Sequence, residues 1–340
     1  MPGSHSAENF RYGGIQLHLN GVINIYKEPG CSSFHVVYEL RKLTGEKKVG
    51  HTGTLDPEVS GVLPVCLGKA TKLVGQLTDT DKTYRCTMLL GRSTDTQDAT
   101  GTVLKEMDRN AVEAVLTGSE DTGVSKHEIA LEKIIITLKS FVGDIMQVPP
   151  MYSALKVGGM KLVNAARKGI EVKRTPRKVR IYSIDGINIS PDLTLAEFEV
   201  KCSKGTYIRT LCQDAGEKLG IPACMYSLER TCAAGLGLDT AITLDQARSY
   251  AQQGILEKYV IPADSFLKIY PEIIIRDDMK KKVLYGNYFR KTDILNSSGE
   301  EDTVPGQTYR VYSSEGVFYA LYQYDAKKKC FVCIKMFIDI

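Results

Sequence analysis

The feature that most constrains this chain is the segment Gly50-His51-Thr52-Gly53-Thr54-Leu55-Asp56-Pro57, closed by Ser60-Gly61. Glycine and proline at this density interrupt helix and strand alike, so the segment is a tight loop presenting an imidazole and a carboxylate five residues apart. Its flanks read as regular structure. Upstream, NGVINIYKEPG is an apolar strand entering a turn, after which Ser32 or Ser33 caps a helix, FHVVYELRKLTG, that ends at Gly45. Downstream come an apolar strand, GVLPVCLG, a short helix around ATKLVGQL, and a strand, KTYRCTMLLG. Mixed strands and helices around such a loop predict an α/β or α+β domain rather than a bundle or a sandwich.

Taken alone, the loop leaves its chemistry open. Asp56 suits a nucleophile, a general base or a turn-capping aspartate. One His–Asp pair lacks the third member that a metal site or a catalytic triad requires. Composition narrows the field. The chain has 340 residues, enough for two domains. No run approaches 18 consecutive apolar residues, so no membrane span is expected. The balance of 44 basic against 40 acidic residues says little about partners. Nine cysteines, an odd number set mostly in apolar runs, predict buried free thiols and a cytoplasmic location. The CxxC at Cys330–Cys333 falls in an alternating run, KCFVCIKMF, and reads as strand rather than metal site.

Further along, residues 105–128 are polar and read as a surface excursion. A helix, EIALEKIIITLKSFVG, leads into GDIMQVPPMYSALKVGG, where Pro149-Pro150 forbids helix and Gly158-Gly159 marks a turn. A short helix, KLVNAARKG, precedes the run Lys173-Arg174-Thr175-Pro176-Arg177-Lys178-Val179-Arg180, five cations in eight residues without an acid. Such a run is a solvated face or a phosphate contact. Strands VRIYSI and LAEFEVKCSKGTYI follow, then a helix, RTLCQDAGEKLG. Beyond Ala263, the runs PEIIIRD, YFRKTD, TYRVYS, GVFYALYQY and CFVCIKMFI predict a small β-rich domain, with the boundary between Tyr250 and Ser265.

Several segments together resemble the TruB family of pseudouridine synthases, which act on uridine 55 in the T-arm of tRNA. In order they are YKEPGCSS, GHTGTLDP with SGVLPVCLGKATKL, DKTYR, LGRSTDTQDATG, GDIMQVPPMYSALKVGG, KGTYIRTLCQDAGEKLG and Leu228–Arg230, spanning roughly residues 20–240. The resemblance implies an α+β pseudouridine-synthase fold: a central mixed or antiparallel sheet flanked by helices, an RNA-binding insertion and a small PUA-like C-terminal domain. The expected limits are an extension over 1–19, a catalytic domain over 20–250 with the insertion at about 147–180, and the β-rich domain over 265–340. Asp56 matches the family's catalytic aspartate. Isomerisation breaks the C1′–N1 bond and rejoins the sugar to C5 of the same base. A carboxylate can open that sequence without a cofactor or a metal.

The same resemblance assigns the other roles. Tyr84 matches an active-site tyrosine that stacks on the extruded base. Arg209 matches the arginine paired with the aspartate, a partner that favours and orients a charged carboxylate. Tyr207 matches a second aromatic, and Leu228 an apolar residue against the base. Lys27 matches a lysine steadying the aspartate or a phosphate. His51 matches a planar wedge that fills the stack left by the flipped uridine. Lys173, Arg174, Arg177 and Lys178 fall where RNA backbone contacts are expected, and Lys280–Lys282 and Lys327–Lys329 either touch tRNA or keep the surface soluble. Asp95 and Asp98 read as a structural turn. Thr54, Glu229 and the AAGLGL segment depart from the family pattern, and Glu229 places an acid near the RNA path.

The expected partner is the tRNA T-stem-loop, bound by a cytoplasmic monomer that needs no membrane or protein partner. Two other readings compete with this one: a tRNA-folding protein with a vestigial centre, and a guide-dependent member of an H/ACA ribonucleoprotein. The full set of matching residues argues against the first, and the long insertion against the second.

Overall fold

The computed structural model describes residues 19–338 apart from 119–122, 154, 171 and 298–303, so the expected N-terminal extension lies outside the described residues except for Leu19. Strand β1 (Gly21–Lys27) leads into helix α1 (Ser33–Thr44). Of the two candidate caps Ser32 is the one used: its hydroxyl accepts the His35 N–H, and Gly45 closes the helix at φ +72°. Strands β2 (Val49–His51) and β3 (Ser60–Leu67) bracket the glycine-rich loop. A 3₁₀ turn (Gly68–Leu73), α2 (Val74–Thr78) and β4 (Lys82–Leu90) follow, then a hairpin of β5 (Arg92–Thr94) and β6 (Val103–Glu106).

The expected surface excursion instead contains a helix, α3 (Arg109–Thr117), capped by Asp108 and seated on the core through Val112 and Leu116. Two buried residues four apart are a narrow stripe, easily hidden in a polar stretch. The part of that segment at 119–122 lies outside the described residues.

Next come α4 (Lys126–Lys139), β7 (Gly143–Gln147), a small hairpin of β8 (Lys156–Val157) and β9 (Met160–Lys161), α5 (Leu162–Arg167), β10 (Arg177–Ile189) and β11 (Leu195–Cys202). Helix α6 (Ile208–Leu219), β12 (Ala223–Ala233), β13 (Leu236–Gly237), α7 (Leu244–Gln252) and β14 (Val260–Pro262) complete the first unit. Its sheet runs β14-β1-β3-β12-β4-β11-β10-β7, with β2 added to β3 and β13 to β12. Because β14 pairs with β1, this sheet reaches residue 262, past the expected limit at 250.

The β3–β12 pairing is parallel, while β12 runs antiparallel to β4, so the sheet is mixed. Ser60 and Gly61 lie beside Glu229 and Arg230 at the parallel crossing. Gly61 stands there at φ +107°, and a Cβ on it would sit 2.2 Å from the Arg230 carbonyl oxygen. Only glycine permits that approach. Ile134 and Leu138 of α4 and Leu211 and Ala215 of α6 are buried in one core with Ile181, Phe198 and Val200 of the sheet.

The C-terminal unit is a second sheet, ordered β16-β15-β17-β18-β19, from β15 (Glu272–Ile275), β16 (Ile294–Ser297), β17 (Thr308–Tyr312), β18 (Phe318–Asp325) and β19 (Cys330–Met336). A short helix, α8 (Lys280–Leu284), carries the first lysine triplet. The YFRKTD run, expected as strand-like, is not one. Phe289 makes a single bridge to Phe331, and the Asp293 carboxylate accepts the Arg290 N–H to form a 3₁₀ turn. Phe289, Phe331 and Tyr322 form the aromatic centre of a separate core. The CxxC lies on β19, and all nine cysteines are free thiols.

This unit docks on the first. Leu321 and Phe337 share an apolar cluster with Val22, Cys66, Leu73 and Leu77. Lys72 Nζ donates to the Met336 carbonyl at 2.7 Å, and Lys335 Nζ to the Lys72 carbonyl at 3.1 Å. Among the described residues no helix is long and apolar enough to cross a membrane.

Candidate active site

The glycine-rich loop is pinned from three sides. Lys27 is fully buried, and its ammonium donates to the carbonyls of Glu28, Cys31 and Pro57 at 3.0, 2.7 and 2.9 Å. Ser33 clamps Leu55 twice, accepting its N–H at 2.8 Å and donating to its carbonyl at 3.1 Å. Arg230, also fully buried, donates from Nε to Val62 at 2.7 Å and from Nη2 to Gly53 at 3.2 Å. Asp56 therefore projects from a backbone held on both flanks.

Lys27 was expected near the site, steadying the aspartate or a phosphate, and the structure sets it beneath the Asp56 loop, within electrostatic reach of Asp56. It does not line the cleft described below. All three of its donors are satisfied by backbone, and burial lowers its pKa. It braces the loop through the Pro57 carbonyl.

The loop opens onto a cleft of about 510 Å³. Asp56, Tyr84, Tyr207, Arg209 and Leu228 all line it, so five of the expected site residues converge from four separate stretches of chain. Arg209 Nη2 lies 3.0 Å from Asp56 Oδ2. The arginine side chain is only 7% exposed against 47% for the aspartate, so the cation is built in and the carboxylate faces the open space. Arg209 is held by the Thr96 carbonyl at 3.1 Å and the Tyr152 carbonyl at 2.7 Å. Asp98 Oδ2 lies 3.6 Å from its Nη1.

Asp98 was expected as a turn residue. It does cap its turn, its Oδ1 accepting from Thr96 and Thr100, and it also faces the arginine. A second cavity of about 380 Å³ shares Asp56, Val59, Arg209 and Leu228 with the first.

Tyr84 stands opposite Arg230 in the β4–β12 register, and Leu228 opposite Cys86. Burial pushes the Tyr84 phenol up, opposed by the nearby guanidinium of Arg230. Lys82 lines the cleft too; burial lowers its pKa, and its ammonium donates to the carbonyls of Thr78 and Thr80. Tyr207 is the residue before the first turn of α6, which puts Arg209 at that helix's second position. His51 lies outside both cavities, at the far end of the loop. Its Nδ1 accepts the Gly53 N–H at 3.3 Å, and burial, with Arg230 acting in the same direction, lowers its pKa.

The basic run divides. Arg177 and Lys178 begin β10 and line the cleft, whereas Lys173 is exposed away from its lining. Arg174 donates to the Pro149 carbonyl at 3.0 Å and ties the run back to the double proline. The run lacks acids, but its neighbour strand supplies one. Asp144 lies 2.9 Å from Lys178 and 3.8 Å from Arg180.

Gln147 and Arg230 have clear structural work and had no assigned role, and Ser33 and Asp98, read as a candidate cap and a turn residue, do work beyond that. All four sit inside segments that carry the family resemblance.

Known proteins resemble this chain along most of its length. The family model described as "TruB family pseudouridylate synthase (N terminal domain)" matches residues 41–208. A "tRNA pseudouridine synthase B" of Clostridium perfringens (strain SM101 / Type A) is 43% identical over 309 residues, covering 91% of this chain and 96% of that protein. The protein of the same name from Bacillus pumilus (strain SAFR-032) is 41% identical over 309 residues, covering 89% and 93%. Among solved structures, a chain of an H/ACA RNP bound to a substrate RNA containing 2′-deoxyuridine aligns at a TM-score of 0.61 and 25% identity, covering 94% of this chain and 85% of that one. A chain of a Cbf5-Nop10-Gar1 complex aligns at 0.61 and 26%, with the same coverage.

Proposed function

This chain belongs to the TruB family of pseudouridine synthases, and from that premise we propose that it isomerises uridine 55 in the T-arm of tRNA to pseudouridine, with Asp56 opening the reaction. The observation that carries this reading is the Asp56–Arg209 pair at 3.0 Å, its arginine enclosed and its carboxylate open to a cleft shared with Tyr84, Tyr207 and Leu228.

The chemistry follows from those residues. A uridine turned out of its stack enters the cleft, where the aromatic rings and Leu228 accept its planar apolar faces. The Asp56 carboxylate then attacks the base or C1′, or takes a proton from the sugar. Each route needs a fixed anion beside the sugar, and Arg209 supplies that fixing. The C1′–N1 bond breaks, the base turns, and C1′ bonds to C5. N1 gains a proton, and the hydrogen on C5 leaves to solvent. Tyr84 lies where its hydroxyl can exchange that proton. His51 fills the gap in the RNA stack, and Arg177 and Lys178 meet phosphate at the cleft rim. The protein acts as a monomer on tRNA alone.

The likeness to chains of H/ACA ribonucleoproteins supports a second reading, guide-dependent activity. Identity of 41–43% to proteins named tRNA pseudouridine synthase B, against 25–26% there, supports the first. Tritium release from a tRNA transcript labelled at C5 of uridine separates them. The purified chain alone should release close to one equivalent per tRNA, and none from a transcript carrying cytidine at position 55. Asp56→Asn should lower the rate at least about 10³-fold while tRNA still binds. No release by wild type without a guide RNA would overturn the proposal.

A further inference from the structure

Gln147 ends β7 and is 1% exposed. A buried primary amide must satisfy both its NH₂ and its carbonyl. Here both go to the backbone of one residue. The Tyr207 N–H donates to Gln147 Oε1 at 3.0 Å, and Gln147 Nε2 donates to the Tyr207 carbonyl at 3.2 Å. Tyr207 has no other cap: it precedes the first turn of α6 with no side-chain hydrogen bond of its own to that turn. The amide therefore fixes the plane of the peptide units on either side of Tyr207, and so the exit direction of its ring. Two residues on, the same turn carries Arg209, whose guanidinium holds Asp56.

The other side of Gln147 faces the RNA-binding elements. In the β7–β10 register Gln147 is opposite Arg177, a residue at the cleft rim. Opposite residues in an antiparallel pair project to the same face. The insertion that follows Gln147 returns to the pair at Tyr152, whose carbonyl accepts from Arg209 at 2.7 Å. The end of β7 and the stretch that follows it thus join Arg177 at the cleft rim, the cleft aromatic and the arginine.

We propose that Gln147 is a positioning residue for the isomerisation, acting through the backbone of Tyr207 to set the direction of that ring in the cleft. This rests on the function proposed above. Gln147 touches no reacting atom, so its removal lowers the rate of the chemical step and leaves tRNA affinity in place.

The test measures single-turnover pseudouridine formation at saturating enzyme, together with tRNA affinity by filter binding. Gln147→Glu keeps the acceptor and loses the donor, and Gln147→Leu loses both. The expected result is a rate about 10-fold or more lower for Gln147→Leu and a smaller loss for Gln147→Glu, with affinity within about twofold for each. Each substitution is then repeated in a Tyr207→Ala background. A residue that works through Tyr207 costs little more once that ring is gone, whereas a general packing defect costs the same factor again. If Gln147→Leu does not fold, the Gln147→Glu pair of measurements decides.

Wild-type rates in both variants, losses that repeat in full in the Tyr207→Ala background, or a loss confined to tRNA affinity would each overturn the proposal. Failure of the wild-type chain to form pseudouridine would instead overturn the function beneath it, so the two failures are distinguishable.

Discussion

Arg230 sits directly opposite Tyr84 across β12 and β4, and its guanidinium holds the Val62 carbonyl of β3 and the Gly53 carbonyl of the loop before it. A fully buried arginine thus links a cleft aromatic to the loop that presents Asp56. Arg230→Met keeps the volume and leaves the Val62 and Gly53 carbonyls unpaired in the interior. It should cost about 3 kcal/mol, read as a lower midpoint in thermal unfolding. An unchanged midpoint would mean those carbonyls find water, and the bracing role assigned to Arg230 would go.

Gly61→Ala should be worse. Its Cβ would fall 2.2 Å from the Arg230 carbonyl oxygen at a positive φ, where backbone has to yield. We expect poor recovery of folded protein, or a loss of about 3 kcal/mol or more by urea unfolding. A variant as stable as wild type would show that the parallel β3–β12 crossing can open without penalty.

His51 carries a pH signature. Burial and Arg230 hold its folded pKa below the unfolded 6.5. A group depressed in this way contributes stability above the unfolded value and loses it as pH falls through the folded one. The Gly53 N–H bond to Nδ1 is lost on the same protonation. With five histidines in the chain, ring-proton NMR can follow each, and His51→Gln identifies the resonance. It should titrate below 6.5. Titration above that value would mean the ring is solvated and paired with an acid.

Asp144 sits 2.9 Å from Lys178 and 3.8 Å from Arg180, so under the proposed function it would compete with RNA phosphate for those cations. Asp144→Asn should tighten tRNA binding about two- to fivefold at low salt, with the gain fading as salt rises. Filter binding over a salt series reads both quantities. Unaltered affinity at every salt concentration would place the RNA backbone away from β10.

Much of the fold could be read ahead of the coordinates. The helix after Ser32, the buried strand at GVLPVCLG and the alternating tail all announce themselves by period and by capping residues. The helix at Arg109–Thr117 does not, because its buried stripe is only Val112 and Leu116 in polar company. The YFRKTD run misled in the opposite sense. One aromatic core residue, Phe289, gave it a strand's look while its polar residues closed a turn.

At the site, Asp56 and Arg209 lie 153 positions apart in the chain, and no local pattern joins them; only the family resemblance did. Lys27 came by the same route, and its means were not legible: three backbone carbonyls within 3.0 Å hold its ammonium as a brace under the loop that presents Asp56. Gln147 and the clamp of Ser33 on Leu55 were hidden for a similar reason, since each binds backbone, which every sequence shares.

The seam between the two units has a consequence for how this protein can change over time. Phe337 and Leu321 rest against Val22 and Cys66, the reverse side of the strands that lead into the Lys27 turn and out of the Asp56 loop. Trimming the tail would leave that apolar ground bare, so the tail is not a removable accessory. Its inner surface must covary with β1 and β3, and lineages that redesign one will carry matching changes in the other.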